Sequence, residues 1–417
     1  MQRFHEAHMP TGRWSAPLWA LAVLLPVVAG CRPEPDVQTI DSQMPAPLIR
    51  VKLGDNAHQA VVTVADKVQI RDANTRRDLK TADELAGAVF TAAAGKLSLD
   101  GQALGTSAVV VIPKTSGRIE VGGNRYHGNL RVLASGGNVM MVNCLDLEDY
   151  LAAVVGAELY DHWHIECLKA QAVAARSYTL YQMKHASRSR PFDVYADPAR
   201  SQAYIGLGGR RRQGETSQSR RAVEATRGVC LAWDDGGTER ILETVYHSTC
   251  GGRTVPYHQY WTSAKPMAPL MGVQCTHCRR SPTYRWTLKL DAEVLRDRLR
   301  KTVPRMRTLA RIERIAVRPE DATPDGRVRR VTIWTDLGDH WAVDREPFAA
   351  SFPAAMRFYS DRFAVTLSGG DVVVEGRGHG HGVGMCQYGA QAQAVAGRKA
   401  EGILNTYYPG SHLVRVY

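Results

Sequence analysis

Residues 146–185, DLEDYLAAVVGAELYDHWHIECLKAQAVAARSYTLYQMKH, contain the clearest helical pattern of the chain. Asp146 can cap a first helix, whose apolar residues recur at spacings of three and four. Gly156 is expected to end this helix, which would leave Glu158 on a loop. A second helix is predicted from Ile165 to Lys184, and its many alanines allow close packing, so we expect it to be buried.

The pattern changes on both sides of these helices. Residues 49–143 contain short β-branched runs separated by glycines, which predict a β-rich N-terminal subdomain. Residues 144–417 mix helical and strand-like segments, with an arginine-rich insertion at about 288–350 that begins with a predicted helix, residues 288–300. The sequence therefore predicts an α+β fold, with a body of mixed helices and sheets behind a β-rich subdomain.

The composition restricts the class of protein. The 417 residues are 44% hydrophobic and 23% charged, which is typical of a packed globular protein of two or three domains and excludes wholesale disorder. After residue 30 no run approaches the roughly 20 apolar residues that span a bilayer, which excludes a polytopic membrane protein. The net charge of +12 is compatible with nucleic acid, anionic lipid or anionic polymers as partners.

The N-terminal residues reduce the number of partner classes that remain. Residues 1–30 have the layout of a secretory signal, and the cysteine that follows resembles that of a bacterial lipoprotein signal peptide, in which Cys31 would be lipidated. An uncleaved anchor is the alternative. Residues 31–48 are rich in proline and predict an extended tether. In either case the body is expected to be extracytoplasmic and attached to the bacterial envelope. The resemblance to bacterial lipoproteins implies that Arg32, in place of an acidic residue after Cys31, favours the periplasmic face of the outer membrane in a diderm organism. Nucleic acid is then not an expected partner.

Glu158 is the first candidate for chemistry. Its neighbours Val155, Leu159 and Trp163 are apolar, so partial desolvation is expected to raise the pKa of its carboxyl group. A protonated carboxyl group is what a glycosidic oxygen needs in order to leave. A solvated or helix-capping glutamate is the alternative.

The glycine-histidine segment GRGHGHGVG, residues 376–384, is the second candidate. His379 and His381 could bind a metal or polarise a substrate, and a tight structural turn is the alternative. The segment lacks the Lys-Ser/Thr ending of a phosphate-binding loop, and the chain lacks the His-Glu-x-x-His helix of a zinc protease.

Cysteines form the third candidate. Four of them lie in or beside polar motifs: Cys250, Cys275, Cys278 and Cys386. Four thiolates can bind zinc tetrahedrally, but the same residues could form disulfides outside the cytoplasm or remain free thiols. Three others have apolar neighbours and are expected in the core: Cys144, Cys167 and Cys230.

Several sequence blocks occur together with these candidates in a fixed order. They are Leu147-Glu148-Asp149-Tyr150-Leu151, Val155-Gly156-Ala157-Glu158, residues 166–178, Ser201-Gln202-Ala203-Tyr204, residues 222–228, Tyr246-His247-Ser248, Gly251-Gly252-Arg253-Thr254, residues 380–390, and residues 403–410. This order resembles that of the SpoIID/LytB family of bacterial cell-wall proteins. The resemblance covers roughly residues 49–417 and is weakest in the arginine-rich part.

The resemblance implies that residues 144–417 are a SpoIID-like catalytic domain. The family members that are similar to SpoIID are lytic transglycosylases, which cleave peptidoglycan glycan between N-acetylmuramic acid and N-acetylglucosamine and prefer strands without stem peptides. Glu158 matches the family's catalytic glutamate and would act as general acid and then base to form a 1,6-anhydro product. Arg176 matches its supporting arginine, with a structural ion pair as the alternative. The implied substrate-binding residues are Tyr246, His247, Ser248, His379, His381 and Gln387.

The chain also departs from the family pattern. Some relatives bind zinc through histidine and cysteine where this chain has Ala199, Arg200 and Ser201, so a structural zinc would have to use the four cysteines instead. No cofactor is implied for the reaction itself. Other relatives, called amidase enhancers, modulate a cell-wall amidase, so the alternative function is a non-catalytic peptidoglycan-binding amidase enhancer. A zinc hydrolase that uses His379 and His381 is a third hypothesis.

Overall fold

The computed structural model describes residues 38–39 and 45–417, apart from 116, 188 and 210–212. The predicted signal peptide, Cys31 and most of the predicted tether lie outside these residues. Val37–Tyr417 form one compact unit. None of the helices in the described ranges is long and apolar enough to cross a membrane.

Short strands dominate the first part of the described chain and form two seven-stranded sheets. Strand β3 buries every second residue, as expected for a strand with one face on a core. The strands are β1 Gln38–Thr39, β2 Leu48–Lys52, β3 Gln59–Val64, β4 Val68–Asp72, β5 Asp78–Ala82, β6 Leu85–Ala93, β7 Lys96–Leu99, β8 Gln102–Ala103, β9 Ala108–Pro113, β10 Arg118–Val121, β11 Asn124–His127, β12 Asn129–Ser135, β13 Asn138–Asp146, β14 Val194–Tyr195 and β15 Gly208–Gly209. The sheet orders are β15-β11-β10-β3-β6-β7-β8 and β14-β2-β13-β12-β9-β4-β5.

The β-rich region and the helical body share strands and a core. Strands β14 and β15 follow the two long helices in sequence but join the N-terminal sheets at their edges. The predicted boundary at residue 143 falls inside β13, and Leu48, predicted to end the tether, begins β2. One hydrophobic cluster contains side chains from both sheets and from the helices. Both regions are therefore parts of one folded unit.

Eight helices follow in the described chain, and the first two lie where the sequence predicts them. Asp146 caps α1 by accepting a hydrogen bond from the Glu148 N–H at 2.8 Å. The helices are α1 Leu147–Glu158, α2 Ile165–His185, α3 Ser217–Ala225, α4 Tyr257–Tyr260, α5 Ala292–Thr302, α6 Arg345–Ala350, α7 Gln387–Val395 and α8 Ala400–Tyr407. Helix α2 is buried over most of its length, as its alanine content predicts. The chain is thus of the α+β class.

Gly156 does not end helix α1, contrary to the sequence-based expectation. The helix continues to Glu158, so this carboxyl group lies on the last turn of a helix and not on a loop. A Cβ atom at Gly156 would lie 2.1 Å from the carbonyl oxygen of Gly214. Gly156 is needed because the backbone at Gly214 packs directly against the helix. The ability of glycine to adopt unusual backbone angles is not used at this position.

Replacing Gly156 with Ala is therefore expected to lower the free energy of unfolding by about 1–3 kcal/mol, the usual cost of overpacking. Urea unfolding followed by circular dichroism measures this change. Gly402→Ala in α8 is the control, because its added Cβ would contact only the flexible Arg398 side chain and alanine favours helix by roughly 0.5–1 kcal/mol. Equal stability of the two variants would contradict this account of Gly156.

The remaining strands complete four small sheets. They are β16 Val229–Asp234, β17 Glu239–Ile241, β18 Tyr246–His247, β19 Trp286–Asp291, β20 Ile312–Ala316, β21 Arg330–Thr335, β22 His340–Asp344, β23 Phe363–Ser368, β24 Asp371–Gly376, β25 Met385–Cys386 and β26 His412–Arg415. The sheet orders are β1-β26-β16-β17, β18-β25, β19-β24-β23 and β20-β21-β22. Strand β1, inside the predicted tether, pairs in parallel with the C-terminal β26.

The arginine-rich region has its own hydrophobic core. Side chains between Trp286 and Val374 form a cluster separate from the main one, so this subdomain extends past the predicted limit at residue 350. Residues 288–300, predicted to be helical, divide between strand β19 and helix α5. Asp291 marks the change, since its side chain caps α5 by accepting from two backbone N–H groups.

Candidate active site

Glu158 lies at a cleft of about 1300 Å³. The cleft is lined by the end of α1, by the segments around Ala203, His247 and Gln387, and by residues of the arginine-rich subdomain. The Glu158 side chain is partly exposed to it. Helix α1 packs on α2 and α3 through its buried apolar residues, which fixes the position of its last turn.

Three groups bind the Glu158 carboxyl. The backbone N–H of Ala203 donates to Oε1 at 2.8 Å, and Gln387 Nε2 donates to Oε2 at 3.4 Å. The Tyr246 hydroxyl also lies within hydrogen-bonding reach. Burial raises the pKa of Glu158, and these hydrogen bonds oppose the rise only in part. The carboxyl group is thus positioned on two sides and favours the protonated form more than a solvated glutamate does.

Arg176 does not line the cleft. Its side chain is fully buried, and Nε and Nη2 donate to the two carboxylate oxygens of Glu148 at 2.8 and 2.7 Å. Nη1 donates to the carbonyl of Val229 at 3.0 Å, and the Tyr417 hydroxyl donates to Glu148. Arg176 therefore ties α1 to α2 and to the C-terminus, as a structural ion-pair partner would, and does not orient Glu158 directly.

Two of the predicted histidines form hydrogen bonds with backbone groups through their ring nitrogens. His381 Nε2 donates to the Tyr246 carbonyl at 2.7 Å, and its Nδ1 accepts from the Val383 N–H at 3.2 Å. His247 Nδ1 donates to the Val383 carbonyl at 2.9 Å. Burial lowers the pKa of His381 to about 4 and lowers the pKa of His247 well below its ordinary value.

The three predicted histidines differ in which of their ring nitrogens are hydrogen-bonded. Both nitrogens of His381 are hydrogen-bonded to backbone groups, so metal binding by this residue would require one of these hydrogen bonds to break. His247 lines the cleft, and its Nε2 is a buried atom that has no hydrogen-bond partner among the described residues. His379 also lines the cleft, half-buried beside the Tyr359 ring at 5.2 Å.

The other predicted substrate-binding residues are brought to the same cleft. Tyr246 and Ser248 lie on and just after β18, and Gln387 begins α7. Strand β18 pairs with β25, which places His247 opposite Cys386. The Tyr246 hydroxyl donates to Gln202 Oε1 at 2.8 Å, so the side chains around Glu158 form one connected network.

Sequence reasoning missed much of the cleft lining. The Ala203 N–H is a backbone donor, for which no residue type is diagnostic. Aromatic rings were also missed, although their density in polar segments could have indicated a binding surface. They are Tyr160, Trp163, Tyr257, Tyr260, Trp261, Tyr359 and Tyr388. A second carboxyl group, that of Glu243, lines the cleft and accepts from the Tyr257 hydroxyl at 2.7 Å.

The arginine-rich subdomain contributes one part of the cleft wall. Arg345, Arg357 and Tyr359 line it. Arg327 attaches this subdomain to the glycine-histidine segment, because it donates to the His381 carbonyl and pairs with Asp361. The insertion is thus part of the site, and its cations face the same space as Glu158.

The fold and the cleft define an α+β protein with an aromatic-lined groove that contains the partly buried carboxyl group of Glu158. A family model described as SpoIID, stage II sporulation protein, matches residues 135–233, which contain α1, α2 and the Ala203 segment. An uncharacterized protein of Brachyspira hyodysenteriae is 25% identical over 367 residues, 88% of this chain and 93% of that protein. Stage II sporulation protein D of Bacillus subtilis is 27% identical over 280 residues, 65% of this chain and 75% of that protein. The amidase enhancer of Bacillus subtilis is 26% identical over 374 residues, 76% of this chain and 48% of that protein. The chain matches the SpoIID family over residues 135–233 and is similar to both stage II sporulation protein D and the amidase enhancer, which supports the resemblance to the SpoIID/LytB family.

Proposed function

We propose that the protein is a peptidoglycan lytic transglycosylase that cleaves glycan strands between N-acetylmuramic acid and N-acetylglucosamine. The observation that carries the proposal is the Glu158 carboxyl group, whose pKa is raised by burial at an aromatic-lined cleft. A general acid for glycoside cleavage needs a pKa close to the working pH and an open path to the sugar.

The reaction needs one acid group. Glu158 gives its proton to the bridging oxygen, which leaves with N-acetylglucosamine as the bond to muramyl C1 breaks. The muramyl 6-hydroxyl oxygen then bonds to C1, and its proton returns to Glu158. The product is a 1,6-anhydromuramyl end, and no water is consumed. The Ala203 N–H holds the carboxylate in place between the two proton transfers.

The cleft lining supports glycan strands without stem peptides as the substrate. Removal of the peptide leaves a free carboxylate on each muramyl lactyl group, and Arg345 and Arg357 supply cations along the cleft. Rings such as Trp163, which packs on Tyr388 at 5.0 Å, offer apolar faces for sugar rings.

Digestion of purified denuded glycan in ¹⁸O-labelled water, followed by mass analysis, tests this mechanism. We expect anhydro-disaccharides that carry no ¹⁸O. Hydrolysis by a two-carboxylate mechanism with Glu243 would instead add one labelled oxygen to each new reducing end. Labelled products would overturn the transglycosylase proposal while leaving glycan cleavage intact.

The raised pKa of Glu158 sets an expected pH dependence. Only the protonated carboxyl can donate, so activity should be present below this pKa and fall as the pH rises through it. Gln387→Leu removes a hydrogen bond that lowers the pKa of Glu158. The alkaline limb of the kcat/KM profile should therefore move to higher pH in this variant, and a shift to lower pH would contradict the assignment.

The amidase-enhancer function is the second candidate, favoured by the similarity to the relative of that name. It predicts that the protein sediments with cell-wall sacculi and stimulates a cell-wall amidase. Both effects should persist in Glu158→Gln if the cleft only binds glycan. Loss of stimulation together with loss of cleavage would exclude this candidate.

We also propose that the protein is extracytoplasmic and held at the bacterial envelope by lipid on Cys31, with a cell-wall amidase as a further partner. The support is the lipoprotein-like leader of residues 1–30. Metabolic labelling with an alkyne fatty acid should mark the full-length chain, and Cys31→Ala should be unlabelled. Labelling that persists in this variant would refute lipidation at Cys31.

A further inference from the structure

Four buried cysteine side chains converge at one point beside the cleft. Cys250 follows β18, Cys275 and Cys278 lie around a short 3₁₀ turn, and Cys386 ends β25. Each is at most 2% exposed, and the four Sγ atoms all lie within 4.8 Å of one another. The proposed glycan chemistry uses none of these thiols.

The spacing of the sulfurs fits a tetrahedral metal site. Zinc–sulfur bonds of about 2.3 Å place the sulfurs of a tetrahedron about 3.8 Å apart. Cys250 Sγ and Cys278 Sγ are 3.4 Å apart, well beyond the roughly 2.05 Å of a disulfide. Two disulfides would bring sulfurs together in pairs and would not require all four to meet.

We propose that Cys250, Cys275, Cys278 and Cys386 bind one Zn²⁺ ion as four thiolates. Four protein ligands complete the tetrahedral coordination and leave no open position, so the site is structural and takes no part in the reaction. Soft thiolate ligands select zinc over magnesium or calcium.

The groups around the four cysteines can donate hydrogen bonds to thiolates. The Cys250 N–H donates to Cys386 Sγ at 3.3 Å, and the Tyr407 hydroxyl lies 3.3 Å from Cys275 Sγ. Gly389 leaves room for both groups, because a Cβ there would lie 2.0 Å from the Tyr407 oxygen and 3.0 Å from Cys275 Sγ. Such outer contacts orient ligands in metal sites.

Nearby positive charges also favour a four-thiolate zinc site at these cysteines. One Zn²⁺ with four thiolates carries a net charge of about −2. Arg362 of the arginine-rich subdomain donates to the Cys250 carbonyl at 3.0 Å, and Arg279 and Arg280 directly follow Cys278. These cations can offset the charge of the complex.

The proposed metal site joins segments that form the cleft wall. Residues between β18 and β19 contain only one four-residue helix and two 3₁₀ turns, so little regular structure holds them. Cys250 lies two residues after Ser248, and Cys386 directly precedes Gln387. The metal would therefore cross-link the segment that carries Ser248 to the start of α7, where Gln387 contacts Glu158.

Metal analysis of the full-length protein, purified in detergent with a reductant and without chelators, tests the site. We expect about one zinc per chain in the wild type and in Glu158→Gln, whatever their activity on glycan. Cys278→Ser and Cys386→Ser should each lose most of the zinc. Cys230→Ala is the matched control, because Cys230 is buried outside the cluster, and it should keep the metal.

Wild-type protein provides a second measurement that does not depend on how the variants fold. Replacement of zinc by Co²⁺ should give intense thiolate-to-cobalt absorption and the visible bands of a tetrahedral site. Alkylation of protein that is purified without reductant and then denatured should label all four cluster thiols. Four protected thiols and no zinc would show two disulfides and overturn the proposal, as would free thiols in a metal-free protein.

Discussion

Glu158→Gln is expected to slow the release of anhydro-disaccharides from denuded glycan by about 10²- to 10⁴-fold, the usual contribution of a general acid. The amide has nearly the shape of the carboxylic acid and can still accept the Ala203 hydrogen bond, so the fold should be retained. It has no acidic proton to give to the leaving oxygen. Product quantification by mass spectrometry and an unchanged circular dichroism spectrum together measure the effect.

Glu243→Gln is the matched control for this variant. Glu243 lines the same cleft, is also partly desolvated with a raised pKa, and is bound by Tyr257 and Gln182. The one-acid mechanism predicts a much smaller loss for Glu243→Gln than for Glu158→Gln. Equal losses in the two variants would favour a pair of carboxylates, and full activity of Glu158→Gln would remove Glu158 from the mechanism.

Arg176→Met is expected to lower the free energy of unfolding by about 3–5 kcal/mol, because it leaves the Glu148 carboxylate buried without its partner. Burial alone would raise the pKa of Glu148, but the hydrogen bonds and charge of Arg176, together with hydrogen bonds from Tyr417 and the Gly228 backbone, outweigh it and lower the pKa. The stabilisation is therefore present above the ordinary pKa of a glutamate and is lost as the pH falls through the lowered value. Urea unfolding near neutral pH measures the loss.

Two comparisons make this second prediction specific. The double variant Glu148→Gln with Arg176→Met should be less destabilised than Arg176→Met alone, since no charge is left unpaired. Lys289→Met removes an exposed ion pair with Asp371 and should cost less than about 1 kcal/mol. A small loss in Arg176→Met, with greatly reduced activity, would instead assign Arg176 a role in the reaction.

Local patterns predicted helices α1 and α2 because these patterns depend on nearby residues. Spacing and capping placed α1 and α2, and the alanine content of α2 correctly indicated burial. The error at Gly156 has a physical reason: the residue that demands a glycine there is Gly214, more than fifty positions later in the chain. A sequence read locally cannot distinguish a helix terminator from a site of close backbone approach.

The sequence indicated several side chains of the candidate site but not the tertiary contacts that bring them together. Glu158 followed from its apolar neighbours and from the family resemblance, and the structure brings Tyr246 and Gln387 to it. The Ala203 donor and the wall formed by Arg345 and Arg357 depend on tertiary contacts that have no local pattern. Arg176 was assigned a supporting role from the family resemblance, with a structural ion pair as the alternative, and its side chain pairs with Glu148.

The arginine-rich subdomain enters and leaves the body through two neighbouring strands. Trp286 at the start of β19 pairs with Gly376 at the end of β24, so the two connections lie side by side. Inserted units with adjacent ends can be exchanged with little strain on their host. One side of the cleft is therefore formed by a unit that could be exchanged for another while Glu158 and its hydrogen-bond donors stay in place.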